Sequence, residues 1–353
     1  MADKRLINKW ITGILEECVD HRSMDGSVEM ISDNIFNLAG HRPLTQTRRV
    51  KQIWAVGGGK GGVGKSLLSS SLALSLAKTG QKVLGIDLDL GGANLHTTLG
   101  IDLPKQTLND FFSERVSHLS SCLTPTSIPN LELISGAQDS VMMAGLSDHQ
   151  KNRFLSTVRD LDADYLIFDL GAGTSTNTLD FFLFADVNIV TMLPEPTSIE
   201  NGYRFIKSAY FRRLSLLPKL RSLNRWVELA MDSKNSEGIK SPSDLFKAVS
   251  KHHPEMANTL KLEIERFRPK LVMNQVRTHA DIEVGQSVKT VCKKYFGIDL
   301  DYLGYLDYDS TVWQAIRRKR PVLLEFPQSR LVMNMTKLVD NLTTNHPQER
   351  SSL

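Results

Sequence analysis

Cysteine is scarce in this chain: three in 353 residues, Cys18, Cys122 and Cys292, far apart and odd in number. With no C-x-x-C pair, neither a disulfide framework nor a zinc site is indicated, and inert thiols in a reducing cytoplasm are expected. No apolar run reaches the ~18 residues that a membrane span needs. The opening MADKRLINKWITGILEE lacks the unbroken apolar core and small-residue cleavage site of a secretory signal. The chain is therefore expected to be soluble and cytoplasmic, at most peripheral to a membrane. Neither sign of charge dominates: 43 Lys and Arg face 39 Asp and Glu, a net charge of +4. That balance alone predicts no nucleic-acid binding. A content of 41% hydrophobic and 23% charged residues is that of a globular protein. The length suits one large α/β domain with extensions, or two domains.

What is present centres on Gly57-Gly58-Gly59-Lys60-Gly61-Gly62-Val63-Gly64-Lys65-Ser66. It follows an apolar run, Ile53 to Val56, and opens a helical pattern from Leu67 to Lys78 that stops at Gly80. Strand, Gly-rich loop and helix together satisfy G-x-x-x-x-G-K-[ST] from Gly59 to Ser66 in the context that motif needs. Glycines let successive N–H groups turn inward around phosphate oxygens, and a helix N-terminus adds its positive dipole end. The loop residues Gly59 to Leu67 are thus candidate nucleotide contacts. Lys65 would reach the β/γ-phosphates of ATP, and the Ser66 hydroxyl would complete a Mg²⁺ shell. Lys60 is extra, since an ordinary phosphate loop needs no second lysine there.

Two further apolar strands end in carboxylates. Lys82 to Asp89 closes on Asp87 and Asp89, and Asp164 to Gly173 carries Asp169 ahead of Gly171 and Gly173. Carboxylates at the C-terminal ends of buried parallel strands emerge where ligands of open α/β sheets bind. Asp169 can hold Mg²⁺, usually through water, and its glycines let the chain pass close to a γ-phosphate. His96, without a partner at ligand spacing, reads as a solvated loop residue. Asp186 to Leu193 reads as the next strand, with a helix from Pro194 toward Lys207. From Phe211 to about Arg268 the sequence changes character and reads as a mainly helical insertion, its basic residues forming a solvated face. Pro269 to Arg277 and Leu303 to Asp309 read as further strands, and Leu331 to Leu342 as a core-packing helix.

The stretch GKGGVGKS resembles the deviant phosphate loop of the MinD/ParA family, DLDLGGANL its first switch segment, DLGAG its second. PEPTSI looks closest to the flagellar-number branch (FlhG, FleN). The resemblance covers roughly residues 52–210 and 269–342. It implies an α/β fold: a mostly parallel, twisted sheet of about seven or eight strands with helices on both faces. It implies slow ATP hydrolysis, with ATP and Mg²⁺ as ligands, in an ATP-bound homodimer. Lys60 would then act in trans on the partner's nucleotide, Asp89 would orient the attacking water, and Asp87 would support the Mg²⁺ waters or the first switch. Asn274 stands at the family's adenine-contacting position. Where several relatives place an Asp that pairs with the early lysine, this chain has Asn201, and Glu200 is the candidate substitute. The role implied is regulation of the position or number of a polar structure, most simply flagella, through a protein partner such as an assembly or polar-landmark factor. A ParA-like DNA partition ATPase, an Mrp-like iron–sulfur carrier and a P-loop kinase or synthetase are the alternatives, the carrier disfavoured by the missing cysteine pairs.

Residues 51–342 are thus expected to form the ATPase domain, with the insertion at about 211–268. Residues 1–50 form a helical extension and linker, with an apolar face from Leu6 through Val19 and a second short helix from Val28 to Leu38. The run Arg317-Arg318-Lys319-Arg320 is able to meet DNA, acidic lipid or a partner, and equally reads as cations beside a helix's negative end. The polar tail 343–353 has no apolar face, so membrane binding by the relatives' C-terminal helix is not expected.

Overall fold

The computed structural model describes residues 12–13, 50, 52–102, 104–136, 145–231, 238–239 and 241–344. Apart from Thr12 and Gly13, which are helical, and Val50, the expected N-terminal extension lies outside the described residues, as do Cys18, most of the polar stretch 232–242 and the tail from 345.

Among the described residues, eight strands form one sheet: β1 (Gln52–Gly57), β2 (Val83–Leu88), β3 (Leu123–Pro125), β4 (Leu131–Ile134), β5 (Tyr165–Leu170), β6 (Val187–Met192), β7 (Lys270–Val276) and β8 (Asp301–Asp307). Their order is β3-β4-β2-β5-β1-β6-β7-β8. All pairings are parallel except β3 with β4. The expected mostly parallel sheet is borne out, while the three-residue edge strand β3 went unread. So short a strand, ending in a proline, carries no period to detect, and proline is tolerated there because an edge leaves its missing donor unneeded.

The central strands are near-continuous apolar runs because both faces of the sheet are covered. Alternation then sorts side chains between two layers. Trp54 and Val56 face the layer of α1 (Lys65–Lys78), α9 (Thr311–Arg317) and α10 (Arg330–Thr344). Ile53 and Ala55 face the other, built from α2 (Asp148–Val158), α3 (Thr176–Phe184), α4 (Pro196–Leu216), α5 (Asn224–Met231), α6 (Pro242–His252), α7 (Pro254–Arg266) and α8 (His279–Phe296). Ser147, Ser241 and Thr278 cap α2, α6 and α8 in reciprocal capping boxes, which fix where those helices begin.

Two sequence readings change here. The shift of character at Phe211 falls inside a helix, since α4 runs on to Leu216. The solvated face excludes the first two cations, since Arg212 is buried against Asp180 and Arg213 pairs with the buried Glu263 at 2.8 Å, while Lys219, Arg221, Arg225 and Lys247 are exposed. Leu220, Val227, Leu245, Leu260 and Phe267 belong to the same core as the sheet, so this helical segment is packed onto it. Among the described residues, no helix is long and apolar enough to cross a membrane.

Candidate nucleotide and magnesium site

Strand register assembles the site. Asp169 on β5 lies level with Val56 on β1 and with Asp87 on β2, and β5 stands between those two strands, so the carboxylates sit side by side on the same side of the strand that feeds the Gly-rich loop. The loop ends at Gly64, whose φ of 89° is left-handed and lets the chain turn directly into α1. A Cβ there would also fall 2.0 Å from Asn274 Nδ2, a second reason for glycine. α1 has no side-chain cap and no acidic residue in its first turn. Its first N–H groups and dipole end are therefore left to serve an anion.

Lys65 is buried, and its ammonium donates to the Lys60 carbonyl at 3.4 Å. Burial pushes its pKa down, and the charges of Asp169 and Asp89 oppose that shift. Asp169 accepts hydrogen bonds from the hydroxyls of Ser66 and Ser69, the latter at 2.9 Å. Burial raises the Asp169 pKa to about 6, while the two serines and Lys65 hold it back. Two oxygen donors, a hydroxyl and a carboxylate, one turn from a phosphate loop fit Mg²⁺, which takes few protein ligands and relies on substrate phosphates and water for the rest.

Asp87 is fully buried, and its pKa rises to about 8 through burial first and Asp169 second. Its Oδ1 accepts the Asp89 N–H at 3.1 Å and its Oδ2 the Leu95 N–H at 2.9 Å. Through these bonds it closes the 89–95 loop. Asp89 is half-buried and sits against the second switch, where a Cβ on Gly171 would lie 3.3 Å from its Oδ1. Gly173 N–H in turn donates to Gly58 O at 3.3 Å, so the second switch is tied to the phosphate loop.

One face of α4 runs along that loop. Thr197, Asn201 and Phe205, spaced by four, meet Lys60, Gly59 and Gly57 in turn. The Lys60 ammonium donates to Thr197 Oγ1 at 3.3 Å. A Cβ on Gly59 would lie 1.9 Å from the Asn201 carbonyl, and one on Gly57 would lie 2.7 Å from the Phe205 ring. Glu200, the candidate substitute for the relatives' acidic residue, pairs here with Arg204 at 2.6 Å, and Asn201 Nδ2 donates to Thr197 O at 2.7 Å. Lys60, Gly61 and Gly62 make the exposed rim of the loop, whereas Val63 is buried.

One further expectation needs correcting. His96 is 7% exposed on a short helical turn, Leu95–Thr98, and is no solvated loop residue. Desolvation, and then the charge of Lys319, lower its pKa. Its apolar neighbour Leu95 and the Asp87 anchor draw it inward, a tertiary effect that local spacing does not encode. Asn274, expected to contact adenine, is 2% exposed, with Nδ2 donating to Val63 O at 2.8 Å and Oδ1 accepting from Gln275 N–H. As placed, it anchors the loop. Gln275 itself stands at φ 56°, left-handed, where β7 and β8 shift register. The sequence reading also missed Ser69, a buried serine on an apolar helix, and the supporting face of α4; the helical spacing of Ser66, Ser69 and Ser70 was a signal for the former.

The chain is similar to several known proteins. A family model described as "ParA: NUBPL iron-transfer P-loop NTPase" matches residues 49–210. The antiactivator FleN of Pseudomonas aeruginosa is 28% identical over 280 residues, covering 79% of this chain and 81% of that protein. The flagellum site-determining protein YlxH of Helicobacter pylori is 31% identical over 177 residues, 50% of this chain and 59% of YlxH. Among solved structures, MinD of Pyrococcus horikoshii complexed with Mg-ADP superposes with a TM-score of 0.56 at 18% identity, covering 82% of this chain and 95% of that one. The MinC:MinD complex of Aquifex aeolicus gives 0.57 at 19% identity, over 85% and 98%.

Proposed function

We infer that this chain, which belongs to the ParA/MinD family of P-loop NTPases, is a slow ATPase that dimerises with ATP and serves as a switch setting the position or number of a cellular structure. The observation that carries the reading is the convergence of Lys65, Ser66 and Asp169 at the uncapped N-terminus of α1. In this reading the loop amides and Lys65 hold the β- and γ-phosphates. Ser66 and Asp169 hold Mg²⁺, which when bound neutralises charge developing on the transferred phosphoryl group. Asp89, beside Gly171, orients the attacking water, and Asp87 keeps the first switch loop folded around it. Lys60, on the exposed rim, leaves Thr197 and enters the nucleotide site of a second copy.

That the structure served is the flagellum is supported by the name of YlxH, a flagellum site-determining protein. The partner is a protein of that apparatus, and residues 51–342 form the switch, with the helical segment 211–268 as its own elaboration. Lys65→Ala tests the site: ATP binding and turnover should both vanish, because the loop loses the one charge aimed at the phosphates. Near-normal ATPase activity in that variant would overturn the assignment. Loss of the gene should change flagellar number or placement, and a normal pattern would overturn the role while leaving the ATPase intact.

A further inference from the structure

The nucleotide site uses none of the charge buried beneath it. Asp180 on α3 is 0% exposed and accepts three charge-assisted hydrogen bonds, from Arg212 Nε and Nη2 at 2.7 and 2.8 Å and from Lys151 Nζ at 2.6 Å. Lys151, also buried, reaches Asp148 at 2.9 Å, so two cations and two carboxylates balance across α2, α3 and α4. Such a network is poorly explained by stability. Apolar groups of the same volume often hold a core equally well or better, whereas removing a single partner is strongly destabilising.

What the network joins is specific. α3 leaves the second switch directly: Gly171 and Gly173 precede its capping residue Ser175. α4 carries Thr197, Asn201 and Phe205 along the phosphate loop, and Arg212 lies fifteen residues, about 22 Å, further down the same rigid helix. The two helices also meet at Phe182 and Phe205, whose rings are 4.9 Å apart edge to face and both stand over Gly57. A guanidinium fork fixes distance and orientation together, which a greasy contact does not.

We propose that Asp180 is a positioning residue for ATP turnover: clamped by Arg212 and Lys151, it locks α4 to the second-switch helix, so that the resting place of Lys60 follows the state of Gly171–Gly173. This rests on the ATPase reading above, and its test separates the two. Replacing Asp180 alone leaves two buried cations unpaired and risks unfolding. The informative variant is therefore the triple replacement Lys151→Met, Asp180→Leu and Arg212→Met, with Arg212→Lys as a second variant that keeps the charge and loses the fork. In both, the melting temperature should be retained or, in the triple variant, raised. kcat for ATP should fall about tenfold with KM within about twofold, the pattern of a misplaced group and not of a lost ligand.

Hydrogen exchange supplies a readout that needs no turnover. With Mg²⁺ and a non-hydrolysable ATP analogue, the wild-type chain should gain protection in 171–184 and change in 196–204 together; in the triple variant only the first segment should respond. A folded triple variant with wild-type kcat, and with both segments still responding, would overturn the proposal. A wild-type chain that binds the analogue but does not hydrolyse ATP would sink the ATPase reading instead, and the exchange experiment would still decide on the clamp.

Discussion

Asn274 and Val63 stand 211 positions apart, and the side-chain amide of the first donates to the main-chain carbonyl of the second at 2.8 Å. The bond ties the end of β7 to the floor of the phosphate loop, and Gly64 is the residue that makes room for it. Asn274→Ala should leave that buried carbonyl unpaired, at a cost of about 1–3 kcal/mol, and loosen the loop. Affinity should then fall about tenfold for ATP and for inorganic tripolyphosphate alike, as measured by calorimetry. A loss confined to ATP would mean that Asn274 reads the base and that its contact with Val63 is incidental.

Glycines of one loop should differ sharply in what they tolerate. Gly59→Ala drives a methyl group into the Asn201 carbonyl, which as backbone of α4 cannot rotate away. The variant should stay folded, with the phosphate loop displaced and ATP binding lost. Gly61 has nothing within 4 Å of its notional Cβ. Gly61→Ala should keep normal folding and lose activity only where phosphates or a second subunit occupy that space. Equal ATP affinity in the Gly59 variant and the wild type would show that α4 does not support the loop.

The sequence made the site legible wherever chemistry follows from short spacing. The phosphate loop, and carboxylates at the ends of buried strands, each need only a dozen residues to be recognised. What it hid was long-range. Asp180, Lys151 and Arg212 are unremarkable singly, and only packing makes them one network. Asn274 was legible as an amide at a strand end, whereas the Val63 carbonyl it holds is set by tertiary approach. The end of α4 was misplaced since Arg212-Arg213 looks like surface, and an arginine is buried only when a partner as distant as Asp180 or Glu263 is waiting.

The buried Asp169 sets function against stability. Its carboxyl is raised from 3.8 to about 6, so the nucleotide-free fold is favoured with the group protonated, and that stability is lost as pH rises through about 6. Asp169→Asn removes the ionisation and should stabilise the nucleotide-free protein by about 1–3 kcal/mol at pH 8. The gain should shrink toward pH 4, where the wild-type group is protonated too. The same variant should lose the additional thermal shift that Mg²⁺ gives over ATP alone. Equal destabilisation at both pH values would make Asp169 a structural acceptor for Ser66 and Ser69 and remove it from the metal site.

Lys60 separates this chain from an ordinary P-loop enzyme, and its present contact with Thr197 is with its own subunit. That contact is exposed and single, so little holds the ammonium there. In a dimer it would meet the partner's phosphates in a site closed to water, where Coulomb interactions are strong. A cation inserted in trans is worth about 10³- to 10⁵-fold in GTPases, an upper guide here. Lys60→Ala should therefore bind ATP as a monomer yet lose ATP-induced dimers and most turnover. Lys60→Arg should fail as well, because a planar fork is no substitute for a compact ammonium in a Gly-rich loop. Mixing Lys60→Ala with Asp89→Ala subunits gives the decisive result. In the mixed dimer one site keeps its own Asp89 and receives Lys60 from its partner, while the other lacks both. Two nearly inactive variants should together recover up to half of a normal dimer's activity, provided that each binds ATP and the subunits exchange, which a labelled-subunit assay reports in parallel. Mixed dimers that form without any rescue would place the action of Lys60 in its own subunit.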